Sequence, residues 1–148
     1  MEPHQIDVSE CRRLLESGVF GRVAISTPSG PLIVPVNYAV SGDRILFRTT
    51  PYSVLGTYGR NAEMAFEVDH VDYEYEAGWS VVALGRGNVL TDAREVHELV
   101  GTEAPRPWAS GTRSLFFALT WRELTGRRLG VPLGDARDLP VARHATGR

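Results

Sequence analysis

Lysine is missing from this sequence: all 16 basic residues among its 148 are arginines. A pyridoxal-phosphate enzyme needs a lysine to form its Schiff base with the cofactor. A P-loop nucleotide-binding site needs the lysine of its phosphate-binding motif. The absence of lysine therefore excludes both classes of protein on chemical grounds.

Cysteine and long apolar runs are almost as scarce. Cys11 is the single cysteine, so an internal disulfide is excluded and a reducing compartment is favoured. No stretch approaches the roughly 18 apolar residues of a membrane span. Residues 1–5 lack a basic region followed by an apolar one, so a signal peptide is not expected. The formal net charge of -2 provides no general attraction to nucleic acid or to an anionic membrane. We therefore predict a cytoplasmic protein with neither of those partners.

Three common kinds of functional site lack their motifs. The four histidines are scattered and form no HExxH pattern, so no metal site is predicted. A G-x-S-x-G elbow, which would indicate a serine hydrolase, does not occur. The segment 85–90 begins like a dinucleotide fingerprint but lacks the third glycine and lies inside a predicted strand. Glycines at such positions usually mark a bulge or a bend.

Alternating apolar residues predict a mainly β chain. The six predicted strands cover residues 22–27, 32–40, 44–49, 62–69, 79–91 and 115–121. The run 32–40 is almost continuously apolar, which predicts a strand buried on both faces. Two or three short helices are predicted, the first with Asp7 as its N-cap and Gly18 at its end. Many short strands with few helical crossovers indicate an antiparallel barrel or sandwich.

Length and composition predict one domain over residues 1–130, followed by a polar tail at 131–148 that we expect to be flexible.

Several segments occur in an order and spacing that resemble a known family. They are residues 19–24, 35–38, 47–69 and 78–82 with 85–87, and more weakly 106–109 and 125–128. The sequence is similar to the small bacterial flavin-binding members of the pyridoxamine 5'-phosphate oxidase-like family. The resemblance implies a six-stranded antiparallel split β-barrel that forms a homodimer, with FMN in each groove between the subunits.

The same resemblance implies which residues bind the cofactor. The strand containing Val36 and Asn37 would lie along the isoalloxazine ring of FMN. The phosphate would be held by Arg48, Thr49 and Ser53, a set that offers the guanidinium fork and hydroxyls a phosphate requires. Trp79 and Trp108 would pack against the ring.

The residues alone leave other roles open for these positions. Arg48 could be a surface arginine on an edge strand, and Asn37 could satisfy neighbouring backbone groups. The two tryptophans could be ordinary core or interface aromatics.

One position departs from the family pattern. Members usually carry a lysine just after the position of Ser53, and here that position is Val54. The loss of one charge-assisted contact with the phosphate costs about 1.5–3 kcal/mol. FMN is therefore expected to bind about one to two decades more weakly than in relatives with the lysine.

The function that the resemblance implies is an FMN-dependent oxidoreductase acting on a small molecule, although no catalytic side chain is assigned. Classical pyridoxamine-phosphate oxidase activity is not expected, because the family's residues for the substrate phosphate have no match here. Two alternatives stay open. One is a module that binds or stores a flavin, deazaflavin or haem-like ligand without turnover. The other is a cofactor-free dimeric scaffold.

Overall fold

A computed structural model describes residues 4–102 and 105–130 of the chain. Over these residues it contains seven strands and three helices. In chain order they are β1 (His4–Ile6), α1 (Val8–Ser17), β2 (Phe20–Thr27), β3 (Gly30–Ser41), β4 (Arg44–Thr49), α2 (Val54–Tyr58), β5 (Ala62–Asp72), β6 (Ala77–Val89), α3 (Ala93–Thr102) and β7 (Leu115–Leu129). The predicted tail at 131–148, and hence the predicted domain boundary, lies outside the described residues.

The strands form one antiparallel sheet that closes on itself. The order is β1-β7-β4-β3-β2-β5-β6, and β6 also pairs with β7. β7 closes the ring because it pairs with β6 along one edge, while β4 and then β1 share its other edge. Closure leaves few unpaired strand edges. The predicted mainly β, antiparallel split barrel is confirmed, except that the strands number seven.

The strand absent from the prediction is β1, which has only three residues. It pairs with residues 126–128 at the far end of β7. Three residues are too few to show an alternating pattern, so this strand depends on a partner that is distant in sequence. The bulge expected from the glycines of β6 is present, because the register with β7 shifts between Leu84 and Gly85.

The barrel interior holds the core, and α1 contributes to it. Asp7 caps α1 as predicted, since its carboxylate accepts a hydrogen bond of 2.9 Å from the Glu10 backbone N–H. The buried side chains of α1 join those of the inward-facing strand residues, and the Tyr38 hydroxyl donates to the Leu15 carbonyl at 2.5 Å. The largest fully buried side chains of this interior core are those of Leu15, Ile45, Phe47, Leu55, Phe66, Phe117 and Leu119.

The outer surface of the barrel is covered only in part. α3 covers the outer side of β4 and β7, where Leu99 packs with Leu46 and Ala118. The outer side of β3 lacks such cover, and Ile33 on that side is 70% exposed. The adjacent Leu32, which lies opposite the buried Ile25 near the start of β3, is 42% exposed on the other side of the strand. The prediction that β3 is buried on both faces is therefore wrong for the single chain. None of the three described helices is both long and apolar enough to cross a bilayer.

Candidate functional site

Strand alternation divides the predicted cofactor-binding residues between two faces of the barrel. Neighbouring residues of a strand point to opposite sides of the sheet. Val36 and Thr49 are buried on the inner side, while the adjacent Asn37 and Arg48 lie on the outer side. The pairing of β3 with β4 ends at Tyr38 and Phe47 (opposite each other), so Asn37 and Arg48 lie where these strands separate. The candidate site is therefore on the outer face of the barrel.

The Asn37 side-chain amide bonds two backbone groups that are distant in sequence. Its Oδ1 accepts a hydrogen bond of 2.8 Å from the Trp108 N–H, and its Nδ2 donates to the Val19 carbonyl at 3.3 Å. Rotating the amide by half a turn would bring oxygen against oxygen and N–H against N–H, so these two contacts define its orientation. Asn37 and Trp108 are thus brought together, and the backbone-satisfying role considered for Asn37 is present.

Trp108 stacks on an aromatic residue that the sequence did not single out. Its ring lies parallel to that of Phe20, with an interplanar angle of 1° and 5.5 Å between ring centroids. Phe20 is directly opposite Asn37 in the β2–β3 pairing. Trp108 remains 70% exposed. The sequence could have indicated Phe20. Val23 and Ile25 point inward, so Phe20, an odd number of residues away from each, is expected to point outward.

Arg48 is held in place by one edge of its guanidinium group. Its Nε donates to the Arg113 carbonyl at 3.1 Å, and its guanidinium carbon lies 4.7 Å from the centre of the Phe116 ring. Within the part of the chain that the structure describes, neither terminal nitrogen of Arg48 has a hydrogen-bond partner. These two nitrogens form the edge that binds a carboxylate or phosphate in bidentate fashion.

Thr49 and Ser53 pair with each other instead of with Arg48. Their hydroxyl oxygens are 2.6 Å apart, and the Ser53 hydroxyl donates to the Thr50 carbonyl at 2.8 Å. Thr49 must then be the donor to Ser53, because each hydroxyl carries one hydrogen. Ser53 also accepts from the Gly56 N–H at 2.9 Å as the N-cap of α2. In this arrangement both hydroxyl hydrogens are engaged within the fold, and Arg48 is the predicted phosphate ligand with free donors.

Trp79 lies in the barrel core rather than on the outer face. It is buried on the inner side of β6, and its ring centroid is 6.5 Å from that of His70 on β5. Its indole Nε1 is buried and has no hydrogen-bond partner among the described residues. The position matches the core-aromatic alternative.

An ion cluster lies on the outer face two residues beyond Phe20. Arg22 donates to Glu67 at 2.9 Å and to Asp69 at 3.1 Å, so two carboxylates share one guanidinium. Burial raises the pKa of Glu67, and the neighbouring Asp69 raises it further, against the opposing effect of Arg22. The described residues contain no cluster of His, Cys, Asp or Glu suited to a metal ion.

Comparisons with known proteins give a family match and a relative in sequence. The sequence model of the family described as pyridoxamine 5'-phosphate oxidase matches residues 7–128. An uncharacterized Mycobacterium tuberculosis protein is 28% identical over 130 residues, which cover 84% of each chain.

Solved structures share the fold. The FAD-binding protein from Mycobacterium smegmatis has a TM-score of 0.72 and 26% identity, over 86% of this chain and 98% of that one. A FAD-binding protein from Mesorhizobium loti has a TM-score of 0.71 and covers 88% and 100% of the two chains. At 23% identity, the second comparison shows the fold alone.

Proposed function

The chain belongs to the pyridoxamine 5'-phosphate oxidase family, and from this premise we propose that it binds a flavin on the outer face of the barrel. The proposed ligand is FMN, held at the interface of a homodimer, and the proposed activity is that of an oxidoreductase. The absence of a match to the family's substrate-phosphate residues argues against classical pyridoxamine-phosphate oxidation.

The observation that carries the proposal is the free edge of Arg48. A guanidinium that is fixed through Nε and stacked on Phe116 is already oriented, so a phosphate can bind its two terminal nitrogens with little loss of side-chain freedom. No lysine supplements it, because Val54 occupies the position of the family's usual lysine. A single guanidinium supports phosphate binding of moderate affinity.

The aromatic pair supplies the second half of a flavin site. The exposed ring of Trp108 is held against Phe20, and the loop that carries Trp108 also supplies the Arg113 carbonyl bound by Arg48. An isoalloxazine ring is planar and apolar enough to stack on such an aromatic surface. The FAD-binding relative from Mycobacterium smegmatis supports a flavin as the ligand, and makes FAD the alternative to FMN.

A flavin held at this site would supply hydride-transfer chemistry at its N5 atom. The chain's own residues would orient it: Arg48 at the phosphate, and Phe20 with Trp108 at the ring. The Arg22–Glu67–Asp69 cluster places excess negative charge on the same face. The proposed oxidoreductase activity involves no side chain as acid or base. The role of the protein in it is to orient the flavin through Arg48, Phe20 and Trp108.

The test is a fluorescence titration of FMN and FAD against the purified protein and its Arg48→Ala variant. We expect Arg48→Ala to weaken flavin binding about tenfold to a hundredfold, the usual effect of losing a hydrogen bond to a charged group. Arg44→Ala is the matched control, because Arg44 lies on the same face of β4 but pairs with Glu95 of α3. Its affinity should equal that of the wild type.

Equal affinities of Arg48→Ala and wild type would show that the phosphate binds elsewhere. No flavin binding by the wild-type protein would overturn the proposal and favour the scaffold alternative. Reduction of the bound flavin by NADPH, followed by turnover of an added acceptor, separates an oxidoreductase from a flavin-storage module.

A further inference from the structure

We propose that Asn37 is a positioning residue for the flavin ring, acting through Trp108 rather than by touching the ring. Its side-chain amide hydrogen-bonds the Trp108 backbone N–H and so positions the indole, which lies parallel to the Phe20 ring and offers a surface on which the flavin ring can stack. This inference rests on the proposed flavin function and assigns Asn37 a different role from the ring contact that the family resemblance implies.

The Asn37 side chain is anchored to the Val19 carbonyl, a backbone group that the sheet itself holds in place. The Val19 carbonyl accepts a hydrogen bond of 3.0 Å from the Tyr38 N–H, where β2 and β3 begin to pair. The same carbonyl accepts from Asn37 Nδ2 at 3.3 Å. Because the amide is planar, this contact aims Oδ1 in one direction, and the Trp108 N–H lies there at 2.8 Å. The sheet therefore holds the amide, and the amide holds Trp108.

The Asn37 contact ties Trp108 to the sheet, whereas the later part of the segment is held by Arg113, which bonds the Ala109 and Ser110 carbonyls and accepts from Arg48. Residues 105–114 lie between α3 and β7 without a backbone ladder. Within the described part of the chain, the Trp108 N–H bonds Asn37 and its ring stacks on Phe20. A stack between two exposed rings permits sliding and rotation, whereas the hydrogen bond fixes the backbone from which the indole extends. A ring held in advance loses less freedom when a ligand stacks on it.

A double-mutant cycle on flavin affinity distinguishes positioning from direct contact. The variants are Asn37→Leu, Trp108→Ala and the double variant, titrated with FMN and with FAD. If Asn37 acts through Trp108, each single variant binds about tenfold more weakly, and the double variant binds no more weakly than Trp108→Ala alone. If Asn37 contacts the ring itself, the losses multiply to about a hundredfold, and the inference is overturned.

Hydrogen exchange of the Trp108 amide in the ligand-free protein supplies a second readout. We expect slow exchange in the wild type and fast exchange in Asn37→Leu, which has no acceptor for this N–H. Circular dichroism checks that each variant is folded. Fast exchange in the folded wild type, or unchanged exchange in Asn37→Leu, would overturn the inference. Failure of the wild type to bind flavin would instead overturn the proposed function, and the exchange result would remain separate from it.

Discussion

Glu67 shows at the scale of one residue how the outer face differs from an ordinary protein surface. It shares Arg22 with Asp69, and burial, followed by the Asp69 charge, raises its pKa above the ordinary glutamate value. A carboxyl whose native pKa is raised stabilises the fold below its unfolded pKa, and that contribution is lost as the pH rises through the native value. At neutral pH, where Glu67 is ionised, its contribution to the free energy of unfolding is therefore smaller than at a pH low enough to protonate it.

The first prediction concerns the titration of this carboxyl. In a carbon-detected NMR titration, Glu67 should titrate above the ordinary glutamate value of 4.5, and Asp69→Asn should lower its pKa. Glu63 of the same strand is the internal control. Its pKa should lie below the ordinary value because it accepts a hydrogen bond from Arg122. A pKa for Glu67 at or below that of Glu63 would contradict the prediction.

The sequence could predict only part of the site's residue-level geometry. Alternation along β4 would have separated Arg48 from Thr49, since adjacent strand residues face opposite sides. The bond between Asn37 and Trp108 joins residues 71 positions apart, and neither local spacing nor periodicity indicates it. The engagement of the Ser53 hydroxyl as the cap of α2 follows from local sequence, although its pairing with Thr49 depends on the turn between them.

At the scale of a strand pair, Gly85 lies at the bulge in β6, close against the backbone of β7. A Cβ added to Gly85 would lie 2.0 Å from the Thr120 carbonyl oxygen and 2.7 Å from the Trp121 Cα, both of which are backbone atoms of β7. Backbone cannot move aside as a flexible side chain can. Glycine is therefore required here by the close approach of the neighbouring strand.

We expect Gly85→Ala to lower the free energy of unfolding by about 3 kcal/mol, the cost of an overpacked site that cannot relax. Urea denaturation followed by circular dichroism measures this change. Ser80→Ala in the same strand is the control, and its effect should stay within about 0.5 kcal/mol. Equal midpoints for the two variants would show that β7 shifts to accommodate the methyl group.

Strands with enough residues to alternate were predictable, whereas features set by tertiary neighbours were not. The bulge was signalled by Gly85 and Gly87 within an apolar run. In contrast, β1 exists because residues 126–128 of β7 offer a free edge. The exposure of Ile33 on the outer side of β3 reflects where α3 packs, which the apolar run itself does not encode.

At the scale of the whole molecule, an apolar row crosses the open side of the barrel. Ala24 of β2 is directly opposite Ile33 on one side and Ala65 on the other, and Ala65 is opposite Leu84. These side chains alternate with inward core residues and therefore lie on the outer face. Because Ala24 and Ala65 are small and lie between the larger Ile33 and Leu84, another sheet can approach this surface closely. The row adjoins the Arg22–Glu67–Asp69 cluster.

The proposed homodimer would cover this row, because a second copy offers the same self-complementary surface across a two-fold axis. Ile33→Asp would place an unpaired charge in the interface, at a cost of about 3–5 kcal/mol. In sedimentation at micromolar concentration, we expect a dimer for the wild type and a monomer for Ile33→Asp. Val8→Asp is the matched control, since Val8 is 65% exposed on α1 and is not part of the row, and this variant should remain dimeric. A monomeric wild type would overturn the homodimer, whereas a dimeric Ile33→Asp would move the interface to another face.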